Sequence, residues 1–309
     1  MTGRSASCFI IPTRNRPDSL LRTVRNLLGQ TVLPRELCIV DSSDVTPARE
    51  EIERLCSDAG VALEYVHPAP AGLTVQRNVG IDRTTGDPVF LIDDDVAMER
   101  NVHEEILAEY DRWGPELGGV RGAPIRPQRP SKLTIAWRRF FGMGGWWPEA
   151  SGRMRASFFV EGVSASRDVR RLEYLTGWFM SYKREVFEHE RFDEKLGGYA
   201  FNEDIDFSYR VAKRGYVLVQ TPSARIDHLK SQTDRLALFD FGRMHIANQF
   251  YLHQKNMPQT IRYKAALWWA VTGLLLLHSV RAVRTREFPR VAGLAAGVWD
   301  QVRGRGRKP

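Results

Sequence analysis

Cysteine is scarce in this chain. Its 309 residues hold three, Cys8, Cys38 and Cys56, an odd number with no C-x-x-C spacing. They offer no disulfide framework, and two of them lie in apolar runs where cysteine packs as a small hydrophobe, which fits a reducing compartment. Several catalytic signatures are missing too. There is no G-x-x-x-x-G-K-S/T loop and no G-x-G-x-x-G after a strand, so neither a P-loop NTPase nor a dinucleotide-binding dehydrogenase is supported. A G-x-S-x-G elbow is absent, which argues against an α/β hydrolase. Long apolar runs are few. The opening MTGRSASCFIIP is too short for the apolar region of a signal peptide, so export is not expected. The run AALWWAVTGLLLLHSV, sixteen residues from Ala265 to Val280 without a formal charge, falls short of the ~20 that a spanning helix needs.

What is present is ordinary in bulk and uneven in charge. Apolar residues make up 43% and charged residues 27%, enough for a packed core. The net charge is +8, yet from Arg281 to the end there are eight Arg or Lys against Glu287 and Asp300, so the tail carries six of those charges. This asymmetry assigns a polyanionic surface to the tail and leaves the body nearly neutral.

Strand and helix signals alternate through the first 120 residues or so. CFIIP at 8–12 reads as a strand; Pro17 opens a helix whose Leu20, Leu21, Val24, Leu27 and Leu28 recur with helical spacing until Gly29. LCIVD at 37–41, VALEYV at 61–66 and PVFLI at 88–92 are further strands, with helices from Pro47 and over 75–81 between them. Such a βαβ series predicts an α/β fold with a doubly wound, mostly parallel sheet. Ligands of such sheets bind outside the carboxyl ends of the strands. Those ends deliver Thr13, Arg14 and Asn15 from the first strand, Asp41, Ser42 and Ser43 from the second, and Asp93, Asp94 and Asp95 from the fourth.

The aspartate triplet is costly to build, since each neighbouring pair repels by roughly 1 kcal/mol in water and by several times that near a protein surface. A counter-cation relieves the repulsion, and oxygen-only ligands of this kind suit Mg²⁺ or Mn²⁺. The alternative is a solvated acidic turn capping a helix that starts near Glu99. Phosphatases with an aspartyl nucleophile also place D-x-D after a strand, but the Thr or Val they carry two residues beyond the second Asp is Ala97 here. The stretch 121–170, rich in Arg, Pro, Gly and Trp, reads as a loop-rich insertion, either shaping an acceptor site or forming a surface excursion. A strand-like run, 174–182, and a helix from about Glu203 to Gly215 follow, and YVLVQ then leads to Asp227 and His228.

Five segments in this order, PTRNRPDSLLRTVRNLLGQ, IVDSSD, GLTVQRNVGIDRTTGDPVFLIDDD, LTGWFMSYKREVF and FNEDIDFSYRVAKRGY, resemble family 2 glycosyltransferases with the GT-A fold. The resemblance runs from about Cys8 to His228, with the insertion poorly matched. It implies a GT-A catalytic domain over 1–250 and a helical, basic extension over 251–309. It further implies an inverting transfer of sugar from a nucleotide-diphosphate donor to a hydroxyl acceptor, glycan or lipid-linked, assisted by Mn²⁺ or Mg²⁺. By the same resemblance Thr13 and Asp41 contact the nucleotide base with Arg77 nearby, and Arg14 and Asp94 join the donor-binding set. Asp93 faces the ribose or supports the metal, Asp95 is the principal metal ligand, and His228 completes the metal site. In the Glu203–Asp204 pair, Asp204 is the implied general base.

Two other functions stay open from the residues alone. One is a sugar-phosphate nucleotidyltransferase; the other is a non-catalytic glycan- or lipid-binding relative, against which the intact acidic set argues. For the Ala265–Val280 run, an interfacial anchor is the expected form, with a core helix or a true span as alternatives. Trp268 and Trp269 suit a water–lipid boundary, and the arginines beyond suit anionic headgroups. The expected location is the cytoplasm, at the cytoplasmic face of a membrane. No nucleic-acid partner is expected, since the RGRGRKP end lacks interleaved aromatics.

Overall fold

Runs of apolar residues broken by Pro and Gly set the strands. The computed structural model describes residues 3–127, 130–145, 151–162, 168–229 and 236–306; Trp146, Trp147 and the last three residues lie outside this set. Strands β1 (Gly3–Arg4), β2 (Cys8–Thr13), β3 (Val32–Leu33), β4 (Glu36–Asp41) and β5 (Ala62–Val66) are interleaved with helices α1 (Pro17–Leu28) and α2 (Arg49–Ala59). Helix α3 (Leu73–Arg83) then leads to β6 (Val89–Ile92). All six residues of β2 are buried, as a central parallel strand covered on both faces requires. Strands β5, β4, β2 and β6 lie side by side and parallel. Leu20, Val24 and Leu27 of α1 pack with Phe9, Ile39 and Phe90 in the main core. The three cysteines are buried and free.

Beyond β6 the sheet becomes mixed. The aspartates are followed by a short strand, β7 (Val96–Met98), and only then by α4 (Val102–Trp113). The helix expected from Glu99 thus starts three residues late, because Val96 and Met98 are buried against other strands. Next come β8 (Leu117–Pro124), α5 (Lys132–Phe140), β9 (Arg170–Leu172), β10 (Phe179–Tyr182), α6 (Val186–His189), α7 (Glu203–Lys213) and β11 (Val217–His228). The full order is β5-β4-β2-β6-β10-β8-β11-β7, with β9 paired to β11; β10, β7 and β9 run antiparallel to their neighbours. The strand-like run at 174–182 shortens to β10, which inserts between β6 and β8. The stretch expected to be loop-rich from residue 121 opens as the buried end of β8 and contains α5.

Helices α8 (Leu238–Asn256), α9 (Ile261–Thr285) and α10 (Phe288–Val302) complete the chain. The chain divides into two compact units, one of residues 1–127 and 165–234 and one of 128–164 and 235–309. In the second, Leu267, Ala270, Val271 and Leu274 on one face of α9 pack with Phe141, Met143, Ile246 and Leu294. The opposite face, with Trp268, Trp269, Leu276, Val280 and Val283, is exposed. At 25 residues α9 is longer than its uncharged run, and it is the one helix among the described residues long and apolar enough to cross a membrane.

Candidate active site

The sheet order brings together side chains that the sequence scatters. Strand β7 pairs antiparallel with the end of β11, which sets His228 opposite Val96, one residue past the triplet. The Leu229 N–H then donates to the Asp95 carbonyl at 2.9 Å. One ligand atom from each of Asp93, Asp95 and His228 falls within a 4.8 Å cluster. His228 Nε2 lies 3.0 Å from Asp95 Oδ1 and 4.0 Å from Asp93 Oδ2. Trp178 stacks on the imidazole with ring centres 5.7 Å apart and an 8° tilt, which fixes its plane. Two carboxylates and one imidazole in such a cluster suit a divalent cation.

Asp94, the middle residue, points away from that cluster. Thr13 Oγ1 donates to one of its oxygens at 2.6 Å and Arg16 to the other at 3.2 Å. Burial pushes this carboxyl up to about 6 despite both partners. Asp41 accepts from the Tyr65 hydroxyl at 2.6 Å and from the Ser43 N–H at 2.8 Å. Thr13, Arg16, Asp41, Ser43, Val45 and Tyr65 line a small cleft at the ends of β2 and β4. Arg14 is exposed, and it is Arg16, two residues on, that turns into the cleft.

Arg77 is neither beside that cleft nor on a solvated helix face. It is fully buried, pairing with Glu203 through one guanidinium nitrogen, and with Asp93 at 3.2 Å and the Gly177 carbonyl at 2.8 Å through the other. Its guanidinium also lies over the Phe192 ring. The reason is topological: Gln76 and Gly80 set α3 against β2 and β4, and position 77 next to them is covered by Gly177, Glu203 and Phe192 and so does not meet water.

The acid pair opens α7. Asn202 adopts φ 70°, a left-handed turn that Asn tolerates, and the helix starts at Glu203 with both carboxylates in its first turn, where the helix dipole favours negative charge. Glu203 is buried, and its Oε2 has no hydrogen-bond partner among the described residues. Desolvation pushes its carboxyl up to about 8 against the pull of Arg77. Asp204 is mostly buried with part of it at the surface; Oδ2 accepts from the Gly177 N–H at 2.6 Å and Oδ1 from the Ile205 N–H at 2.9 Å. Burial around it raises its carboxyl as well.

Three residues of this site carry no sequence signal of their own. Gly177 contributes both backbone groups, to Asp204 and to Arg77, and a Cβ there would sit 2.9 Å from Glu203 Oε1 and 3.0 Å from the Asp204 Cβ. Gly177→Ala is therefore expected to shift the acid pair and lower turnover by about 10- to 10²-fold with little change in donor affinity, the signature of misplacement; steady-state kinetics against both substrates reads this. Trp178 holds His228. Arg121, buried on β8, lies 3.5 Å from the Gly122 carbonyl through Nε and in the field of Tyr174 and Asp204.

A mixed sheet flanked by helices, with a D-x-D cluster after β6 and an acid pair opening α7, is the arrangement of the GT-A fold. Residues 8–189 match the family described as Glycosyl transferase family 2. The chain belongs to that family. It is 32% identical over 113 residues to a glucosyl-dolichyl phosphate glucuronosyltransferase of Haloferax volcanii, covering 36% of this chain and 34% of that one. To an N-acetylglucosaminyl-diphospho-decaprenol L-rhamnosyltransferase of Mycobacterium tuberculosis it is 24% identical over 241 residues, 70% of this chain and 75% of that one. Against three of its curated relatives the chain spans 34%, 56% and 36% of their length. A mannosyltransferase from Pyrobaculum calidifontis, solved with GDP-Man and Mn²⁺, shares the fold at a TM-score of 0.55 and 16% identity, covering 97% of this chain and 88% of that one.

Proposed function

We propose that this chain transfers a sugar, with inversion, from a nucleotide-diphosphate donor to a hydroxyl of a glycan or lipid-linked acceptor in cell-surface glycan synthesis. The observation that carries the reading is the joining of the Asp93–Asp95–His228 cluster to the Glu203–Asp204 pair by one buried arginine, Arg77. Displacement at an anomeric carbon needs a stabilised leaving diphosphate and an activated acceptor hydroxyl, held in line. Asp95, Asp93 and His228 would hold Mn²⁺ or Mg²⁺, which supplies Lewis-acid stabilisation of the diphosphate when bound. Asp204 takes the acceptor's proton. It is preferred over Glu203 because part of it reaches the surface, whereas Glu203 is buried and engaged by Arg77. Its two backbone donors leave a second lone pair on each oxygen for that proton. A base and a leaving group on opposite faces of the sugar give inversion in one displacement. Thr13, Asp41 and Arg16 then shape the cleft that takes the base and ribose. The glucuronosyltransferase and the rhamnosyltransferase among the curated relatives are named for lipid-linked acceptors, which supports that acceptor class.

Donor binding should require the metal. Titrating UDP, dTDP and GDP by calorimetry with Mn²⁺ and then in EDTA is the test, and equal affinity of the preferred nucleotide in both would remove the metal from the reading.

The exposed face of α9 supports an anionic membrane surface as a partner, through apolar side chains flanked by Arg262, Lys264, Arg281 and Arg284. Since the inner face of α9 belongs to the core of its unit, removing the helix would unfold that unit, so point changes are the better probe. Val280→Glu with Val283→Glu should abolish flotation with phosphatidylglycerol vesicles and leave thermal unfolding within a degree or so of wild type, as surface changes do. Unchanged flotation would take α9 out of the membrane reading.

A further inference from the structure

Helix α5, in the Arg- and Trp-rich stretch that follows β8, turns apolar residues outward. Leu133 is 78% exposed and Phe140 68%, and Ala136 between them is exposed as well. Positions 133, 136 and 140 are three and then four residues apart, so they form one stripe along two turns of the helix. On one border of that stripe Trp137 and Phe141 turn inward and pack with the core of the helical unit. On the other border stand Lys132 and Arg139, both exposed. A helix on a soluble unit ordinarily keeps its apolar stripe against the core and its charges in water. In α5 the apolar stripe lies between core and cations and is itself in water.

This helix is fastened to the exposed face of α9. Trp269 Nε1 donates at 2.8 Å to the carbonyl of Phe140, the last residue of α5, whose oxygen the helix itself cannot pair. The Phe140 and Trp269 rings meet edge to face with centres 5.3 Å apart, and Trp137 Nε1 donates to the Gly273 carbonyl at 3.0 Å. Glycine at 273 permits the approach, since a Cβ there would sit 2.3 Å from the Phe141 side chain. Trp269 is 45% exposed, and Leu276, Val280 and Val283 follow it at helical spacing on the same exposed face. One apolar surface therefore runs from α5 onto α9. Every formally charged residue of the two helices is positive, Lys132, Arg138 and Arg139 on α5 and four more on α9, with no carboxylate on either. Exposed apolar surface of this extent marks an interaction site, and cations without carboxylates beside it match an anionic bilayer.

We propose that α5 is a second membrane-docking element, which inserts Leu133 and Phe140 among the headgroups of anionic phospholipids while Lys132 and Arg139 meet their phosphates. The inference rests on the membrane reading of α9 and extends it to a helix from the stretch between β8 and β9. An interfacial helix holds a bilayer through its apolar stripe and its flanking cations together. A single stripe leaves its unit free to roll about the helix axis, and a second stripe fastened beside the first removes that freedom. The role of α5 is thus to set the orientation of the helical unit on the membrane as well as to add affinity.

The test uses the full chain and two measurements. Because the three native cysteines are buried, Leu133→Cys gives one accessible thiol for an environment-sensitive fluorophore, and Gln254→Cys, at an exposed position of α8, gives the control. With phosphatidylcholine vesicles containing phosphatidylglycerol, the label at 133 should shift to the blue and the label at 254 should not, and salt should reverse the shift by screening the cations. In flotation, the unlabelled double variant Leu133→Ser/Phe140→Ser, which changes no charge, should bind the same vesicles about tenfold or more weakly than wild type. The labelled chain keeps the comparison intact if the double variant does not fold. An unshifted label at 133 on vesicles that float the protein, or wild-type flotation of the double variant, overturns the role of α5 and leaves that of α9 standing. No flotation of wild type overturns both. A blue shift without vesicles that grows with protein concentration assigns the face to a second copy of the chain and overturns the lipid as its occupant.

Discussion

Replacing Asp204 by Asn should lower transfer by about 10²- to 10⁴-fold, the usual contribution of general acid–base catalysis, while nucleotide binding survives. Asparagine keeps the shape of the side chain and its one carbonyl oxygen can still accept from the Gly177 N–H, while the bond from the Ile205 N–H is lost to the amide NH2, so surviving nucleotide binding and an unchanged thermal unfolding are what separate loss of proton removal from collapse. The pH profile gives an independent reading. A general base works only when deprotonated, and burial raises the Asp204 carboxyl above its ordinary value of 3.8. Activity should therefore fall as pH drops through that raised value, on an acid limb lying above the usual aspartate range. The variant should lose this limb along with its rate. Transfer near wild type in Asp204→Asn would make Asp204 structural and return Glu203 to candidacy.

The second large effect is on stability. Arg77→Met should destabilise the chain by about 3–5 kcal/mol, because removing one partner of a buried ion pair leaves the other uncompensated. Here two carboxylates lose their cation at once, since Arg77 meets both Asp93 and Glu203. Adding Glu203→Gln to Arg77→Met should recover part of the loss above about pH 8 and little at pH 7, where the Glu203 carboxyl, already raised to about 8 beside Arg77, is protonated once that cation is gone. Chemical denaturation of the single and double variants measures this; equal stability of wild type and Arg77→Met would mean that water reaches the pair freely.

The parallel half of the sheet was legible because its strands are short apolar runs bounded by Pro, Gly and polar turns, and buried strands need little else to declare themselves. The second half was not. Strand β7 is three residues long and exists only because β11 lies beside it, so nothing local distinguishes Val96–Met98 from the start of a helix. The same pairing places His228, and a resemblance to relatives identified that residue where its own neighbourhood could not. Arg77 shows the converse: α3 alternates polar and apolar residues weakly, so its buried face cannot be read from the pattern, and an arginine at 0% exposure looks like any other. Arg14 and Arg16 both follow the first strand, and only the turn into α1 decides that Arg16 is the one facing Asp94. Gly177 and Arg121 have roles set entirely by what the fold brings against them.

Asp204 is held by main-chain N–H groups, those of Gly177 and Ile205, and no side chain is needed to aim it. Every residue type except proline carries that donor. Mutational drift in the surrounding side chains therefore leaves the carboxylate where it stands, provided the glycine is kept. If Asp204 is the base proposed above, descendants of this chain can alter the walls around it while inheriting the placement of that carboxylate unchanged.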